Sequence, residues 1–281
     1  MSATVEGFTV EVLPEIDSSN SELMRRFRAT SSAGSSGSQA NPRAESILLV
    51  AEQQTAGRGR LGRQWLSRRG DSLTFSLGLP LRPTDWSGLS LVVGISLAES
   101  LAPAGGMRRI SLKWPNDIWL GGPEGESKLA GILVETASWE GLRYAVIGVG
   151  INIRPATWEP QQVATGGLAP IPPGFLQNVF PELDAAATLL KVVPPLVEAV
   201  QAFERFGFIP FQARFARHDA LAGRAVQLSD GSLGTAHGVG EDGALLVHTA
   251  AGMKQITSSE VSVRPLVGLA SAGIDAKRGP C

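Results

Sequence analysis

Gln53-Gln54-Thr55-Ala56-Gly57-Arg58-Gly59-Arg60-Leu61-Gly62-Arg63-Gln64-Trp65 interleaves arginines with glycines between an apolar run and a tryptophan. Arginine brings a planar, permanently charged fork for phosphate or carboxylate oxygens, and glycine lets backbone amides come close to a ligand. Such a loop suits a polyphosphate or an acyl-phosphate intermediate. Gly57, Gly59 and Gly62 also spell G-x-G-x-x-G, a dinucleotide fingerprint that must leave a strand, open a helix and carry an acidic residue about 20 positions on. The apolar run Ser46 to Ala51 supplies the strand. The helix is missing: Asp71-Ser72-Leu73-Thr74-Phe75-Ser76-Leu77-Gly78-Leu79 alternates polar and apolar residues, the period of a strand. A strand, a basic loop and a second strand replace the dinucleotide reading.

The 281 residues suffice for one large or two unequal domains. With 43% hydrophobic and 18% charged residues the composition is that of ordinary soluble globular proteins. The net charge of −1 gives no general pull towards nucleic acid or membrane, so the loop is a local concentration of charge. The one cysteine, Cys281, has no internal partner, which fits a reducing cytoplasm. His218, His237 and His248 lack metal-ligand spacing, so no metal site is expected.

Along the chain, Phe8 to Leu13 reads as a strand. Ser19, with Glu22 three positions on, opens a short helix through Leu23, Met24 and Phe27 in capping-box spacing. Residues 30–45 are rich in Ser, Gly, Ala and Pro and read as a flexible insertion. Asp85 to Leu101 has helical spacing. Arg109 to Trp114, Lys128 to Glu135 and Tyr144 to Ile153 read as strands, with a turn from Gly121 to Ser127 and a loop from Pro155 to Pro181. Asp184 caps a helical region towards Phe206, where Pro194-Pro195 predicts a kink or a break into two helices. From Gly223 to Pro265, short alternating strands separated by Asp230-Gly231 and Asp242-Gly243 predict a small β-barrel-like unit.

Four polar motifs at strand ends or in loops remain: Asp17 to Asn20, Gln54 to Arg63, Lys113-Trp114-Pro115-Asn116-Asp117, and Lys128 with Gly131. Each has a bland reading, as helix cap, solvated arginine loop, packing tryptophan or edge lysine. Their order removes it. The chain resembles the biotin protein ligases, whose G-R-G-R-x-G-R, K-W-P-N-D, K-L-A-G-I-L and G-x-G-I-N motifs stand here as Gly57 to Arg63, Lys113 to Asp117, Lys128 to Leu133 and Gly148 to Asn152.

The resemblance covers roughly residues 8–265 and implies biotinyl-5′-adenylate formation from biotin and ATP, with Mg²⁺, before transfer to a lysine of a biotin carboxyl carrier protein. The resemblance implies that this carrier is a subunit of acetyl-CoA carboxylase. It implies Lys128, Arg60 and Lys113 as catalytic residues. Ser18, Ser19, Asn20, Gln54, Gly57, Arg58, Lys128, Gly131 and Gly148 are implied at biotin. Arg58, Arg60, Arg63, Trp65, Lys113, Asn116, Asp117 and Asn152 are implied at ATP and the adenylate. Ser19 stands where the family usually has threonine, and Leu61 where it often has arginine. Developing phosphoryl charge calls for cationic clamps, and no covalent nucleophile is needed.

The expected fold is α/β (α+β): a mixed sheet backed by helices, of class II synthetase-like type, with an SH3-like C-terminal barrel. The expected domains are 1–217 and 218–266, with a disordered tail at 267–281. A monofunctional enzyme without a DNA-binding domain, cytoplasmic, monomeric or homodimeric, is implied. The rival readings are a lipoate or octanoyl transferase of the same fold and a module that grips the phosphate backbone of nucleic acid.

Overall fold

The computed structural model describes residues 7–32, 45–102, 109–122, 125–139, 141–155, 171–257 and 263–265. The main sheet has seven strands in the order β1-β2-β3-β7-β6-β5-β4: β1 (Thr9–Leu13), β2 (Ile47–Ala51), β3 (Ser72–Pro80), β4 (Ile110–Lys113), β5 (Asp117–Gly122), β6 (Gly125–Trp139) and β7 (Leu142–Asn152). The β1–β2 pair is parallel, and the other neighbouring pairs of this sheet are antiparallel. The sheet is mixed, as expected.

Its two faces are covered unequally. On one face lies α2 (Leu89–Ser100), apolar nearly all round because the sheet is on one side and α3 (Ala185–Phe206) and α4 (Ile209–His218) are on the other. On the opposite face α1 (Ser19–Ser32) buries Leu23, Met24 and Phe27 against Ile47, Leu49, Tyr144 and Val146. This helix packs on β2, β3, β6 and β7, on the part of the face that holds Leu49, Tyr144 and Val146. The uncovered half of that face is where the basic loop lies.

Three local expectations change. The first residue of the helix cap is Ser18, not Ser19: Ser18 Oγ accepts from Ser21 N at 3.4 Å, while Glu22 turns to Arg26 at 2.8 Å instead of closing a capping box. The prolines do not break α3. Pro194 and Pro195 lie on its exposed side, so the carbonyls they leave without donors are open to water, and Val192, Val193, Leu196, Val197 and Val200 keep an unbroken apolar stripe. Asp184 does cap this helix, accepting from Ala187 N at 2.7 Å. Finally, β5 is a strand that the pattern did not reveal, and it takes the first residues of the expected Gly121 to Ser127 turn. The expected insertion begins inside α1, and its residues 33–44 lie outside the described residues, as do 156–170 of the Pro155 to Pro181 loop and the tail from 266.

The C-terminal strands β8 (Ala225–Leu228), β9 (Leu233–Val239), β10 (Leu245–Thr249), β11 (Gly252–Ile256) and β12 (Val263–Pro265) form an antiparallel sheet in the order β11-β10-β9-β8-β12. Gly231 and Gly243 take φ of +83° and +78° in the Asp-Gly turns, a conformation only glycine adopts without strain. This sheet is fastened to the first unit. Ala220 N donates to Leu112 O at 2.9 Å, Trp114 Nε1 donates to Gly243 O at 3.0 Å, and Arg224 pairs with Glu126 at 2.7 Å.

Candidate active site

Strand register lays two rows across the open half of the sheet. One runs Asp117, Gly131, Gly150, Thr74; the next runs Leu133, Gly148, Ser76, Leu49. Side chains two apart on a strand share a face, so these rows form one floor. Its centre has no side chains. A Cβ at Gly150 would overlap the Trp65 indole, one at Gly131 would meet the same ring at 3.3 Å, and one at Gly148 would overlap the Asn20 carboxamide. Trp65 of the basic loop therefore lies flat on a glycine strip, and Asn20 of α1 plugs its other end.

At that end the polar groups are nearly all buried: Ser18, Ser19, Asn20 and Ser76 are each less than 5% exposed. Asn20 Nδ2 donates to Leu133 O at 3.2 Å and to Glu135 Oε2 at 3.0 Å, so its Oδ1 is an acceptor and takes the Ser76 proton at 2.6 Å. Ser76 Oγ also donates to Ser19 Oγ at 2.7 Å, and Ser19 Oγ donates to Gln54 Oε1 at 3.1 Å. The Ser19 backbone N–H then holds Gln54 Oε1 at 2.7 Å. The Gln54 amide is thereby oriented, with Nε2 as the end left for a ligand acceptor.

The opposite wall is cationic. Lys128 Nζ pairs with Asp117 at 2.7 Å and sits 5.9 Å from the Trp65 ring centre. Lys113 leads from β4 to the same place. Burial brings its pKa from 10.5 down to about 8; Asp117 opposes that shift, and the neighbouring charges of Lys128, Arg63 and Arg60 add to it. Burial likewise lowers the pKa of Arg60, whose Nη1 donates to Asn116 Oδ1 at 3.3 Å. Asn116 is pinned to β6, its Nδ2 donating to Ile132 O at 2.9 Å and its carbonyl accepting from Ile132 N at 3.0 Å.

Lys128 reaches this wall through a bulge. The β5–β6 register is Ile118 with Ala130 and then Trp119 with Lys128, so Leu129 is the extra residue. Leu129 and Ala130 are both wholly buried in the core, and Lys128 turns to the Asp117 side. The β7 pairing ends at Ala130, leaving the Lys128 backbone to other partners. Its N–H donates to Pro172 O at 2.7 Å, and its carbonyl accepts from Gly174 N at 2.8 Å and Asn152 Nδ2 at 3.1 Å.

The basic loop is folded back on itself. Gly59 N donates to Arg63 O at 2.7 Å and Trp65 N to Gly57 O at 2.8 Å, and Leu61 takes a left-handed φ of +56° at the tip. Arg58 Nη2 pairs with Glu135 Oε1 at 3.1 Å and Arg58 Nη1 donates to Ser21 Oγ at 3.3 Å. Loop, floor and walls enclose a cleft that is open to solvent at its mouth.

Two family models match: the biotin/lipoate A/B protein ligase family over residues 24–152 and the biotin protein ligase C-terminal domain over residues 223–264. Over 266 residues the chain is 34% identical to the bifunctional ligase/repressor BirA of Escherichia coli, covering 92% of this chain and 75% of that protein. The chain belongs to the biotin protein ligase family. A biotin–[acetyl-CoA-carboxylase] ligase of Paracoccus denitrificans is 30% identical over 89% of this chain and 98% of its own length. The biotin protein ligase of Aquifex aeolicus, solved with biotin and ATP, superposes with a TM-score of 0.67 at 29% identity, covering 92% of this chain and 99% of that one.

Of the residues expected from this family's motifs, all line the cleft except Gly57 and Asn152. A Cβ on Gly57 would overlap the Trp65 carbonyl, so that glycine serves the loop's own hairpin. Asn152 braces the Lys128 carbonyl from behind. Trp65 lies on the glycine strip beside Lys128, both of them over Gly131, and Gly148 makes room for Asn20. The sequence reading missed Thr74 and Phe75 in the lining, and Ser76 and Glu135 behind it. Polar positions two apart on β3, Ser72, Thr74 and Ser76, were the available signal for a polar floor beside an apolar core.

Proposed function

We propose that this cleft activates biotin with ATP and then transfers it to a carrier lysine. A biotin carboxylate oxygen attacks the α-phosphorus, a P–O bond forms, the α–β P–O bond breaks and pyrophosphate leaves. The carrier amine then attacks the acyl carbon of biotinyl-5′-AMP, forming the amide and releasing AMP and a proton. The carrying observation is the union, in one cleft, of an oriented Ser19–Gln54 end and a wall of Lys113, Lys128, Arg60 and Arg63 around a floor without side chains.

The two ends divide the work. Gln54 Nε2 and the Ser18 and Ser19 hydroxyls suit the ureido ring, whose carbonyl and N–H groups need both donors and acceptors. Trp65 and Val149 suit the apolar rings and tail. Lys128, held by its backbone on three sides, is assigned to the carboxylate and α-phosphate; Lys113, Arg60 and Arg63 are assigned to phosphate oxygens. Fixed cationic donors where charge develops are the main source of acceleration in such transfers.

Mg²⁺ fits here as an ion carried on the ATP phosphates, where it neutralises charge, with Asp117 the cleft carboxylate able to take one of its waters. No cluster of three potential metal ligands occurs among the described residues. The proposed partner is a biotin carboxyl carrier protein, in the cytoplasm. The Paracoccus denitrificans and Aquifex aeolicus relatives are biotin ligases by name, which favours biotin over lipoate or a nucleic-acid backbone.

The test is pyrophosphate release with biotin and ATP, together with biotin transfer to an apo carrier domain, in wild type and Lys128→Ala. Biotin-dependent release is expected in wild type, with a loss of at least about a hundredfold in the variant at unchanged thermal stability. Release with lipoate and none with biotin refutes the substrate. Near-normal turnover in Lys128→Ala refutes the role of that lysine.

A further inference from the structure

Glu135 stands outside the family motifs and outside the cleft lining, yet both ends of its carboxylate are engaged by cleft groups. One oxygen takes Arg58 Nη2 at 3.1 Å; the other takes Asn20 Nδ2 at 3.0 Å. It comes after Gly131 and Leu133 on the same face of β6, at the point where the glycine strip gives way to the core under α1. The side chain is only 21% exposed, and Asn20 is buried.

We propose that Glu135 is a positioning residue that sets the ligand-facing end of the site and fastens the basic loop over it. A carboxylate is an acceptor only, so together with the Leu133 carbonyl it holds Asn20 with Nδ2 towards them and Oδ1 towards Ser76. That choice draws the Ser76 proton to Asn20 Oδ1 and Ser19 Oγ, and leaves the Ser19 O–H to donate, with its N–H, to Gln54 Oε1. The hydrogen bonds that start at this acceptor thus end at Gln54, where both Ser19 donors hold Oε1 and leave Nε2 for the ligand. Arg58, paired with Glu135 and Ser21, is in this arrangement the tether of the loop rather than a clamp on phosphate.

The two functions separate by substitution. Glu135→Gln keeps an amide oxygen for Asn20 and loses the charge that holds Arg58. Glu135→Ala loses both. The inference rests on the cleft being the biotin site, so the test pairs a ligand-free measurement with kinetics. In the ligand-free protein, tryptic cleavage after Arg58, Arg60 and Arg63 is expected to quicken at least about fivefold in both variants, since an ion pair that anchors a loop sets its opening. In the pyrophosphate assay the KM for biotin is expected to rise about tenfold to a hundredfold in Glu135→Ala, the range for a lost charge-assisted hydrogen bond, and less than half as far in Glu135→Gln. The KM for ATP is expected to rise less than that for biotin, because Arg60 and Arg63 ride on the loosened loop while no phosphate contact is itself removed.

Unchanged cleavage in both variants overturns the tether. Equal biotin KM values in wild type and a folded Glu135→Ala overturn the orienting role. A KM that is unchanged while the melting temperature falls marks Glu135 as merely structural and overturns the proposal outright. Absence of biotin-dependent turnover in wild type is a different result: it removes the proposed substrate and leaves the cleavage measurement to decide the tether.

Discussion

Lys113 is the cleft group whose charge the fold brings nearest to neutrality, and pH is the perturbation that reads it. Its pKa falls from 10.5 to about 8, chiefly because burial penalises the ammonium. A shift of that size corresponds to an upper bound on the order of 3 kcal/mol, since water still reaches part of the side chain. Proton counts give the sign. Below pH 8 both folded and unfolded chains hold the proton and the full cost is present; between about 8 and 10.5 the unfolded chain binds more, so this group's contribution to stability rises with pH. Activity moves the other way. The phosphate contact needs the ammonium, and raising the pH through 8 removes it.

The assay is kcat/KM for ATP from pH 6.5 to 9.5 in pyrophosphate release, which reports the free enzyme. An alkaline limb centred near pH 8 is expected, falling about tenfold per unit beyond it. In kcat the limb moves to higher pH, because bound phosphate favours the charged form. Lys113→Arg keeps a charge that does not titrate in this range and abolishes the limb, at whatever maximal rate its different shape permits. Asp117→Asn removes the one neighbour that supports the ammonium and moves the limb below pH 8. A wild-type profile flat to pH 9.5, or a limb that survives in Lys113→Arg, refutes the reasoning.

Two further outcomes concern the floor and the C-terminal unit. Gly150→Ala places a methyl inside the Trp65 indole and Gly131→Ala one 3.3 Å from it, so the first should lift the loop and the second only press it. Overpacking of about 1–3 kcal/mol predicts a loss of roughly fivefold to a hundredfold in adenylation for Gly150→Ala and less for Gly131→Ala; equal losses would show that the ring does not rest there. Trp114→Phe leaves the Gly243 carbonyl without its donor, and urea unfolding should show about 1–3 kcal/mol lost; an unchanged midpoint would mean that water replaces the indole.

The chemistry of the site was legible where it is written in runs. Lys113 to Asp117, Lys128 to Gly131 and the arginine loop each announce themselves by unusual composition within a few residues. The strands flanking the loop were legible by period. Pairing could not be read. Glu135 and Asn20 are 115 positions apart, and Ser76 and Asn20 are 56 apart; their meeting depends on register across β3, β6 and β7. A serine alternating with apolar residues looks the same whether it faces water or a buried carboxamide. The shift of the cap from Ser19 to Ser18 has the same origin: the Ser19 hydroxyl accepts from Ser76 at 2.7 Å and donates to Gln54 Oε1 at 3.1 Å, partners 57 and 35 positions away. Of the kink or break expected at Pro194 and Pro195 the break does not occur, because both prolines are exposed and the buried side of the helix stays continuous.

The bulge at Leu129 means that the cleft lysine depends on an irregularity. Lys128 and Ala130 are two apart, so a strand of strict alternation would turn both to the same side. Ironing out the bulge at constant length would bring Leu129 opposite Trp119 and carry the ammonium into the core, whereas deleting Leu129 would leave Lys128 opposite Trp119. A flawless ladder spelt with the same letters would be a strand without its lysine.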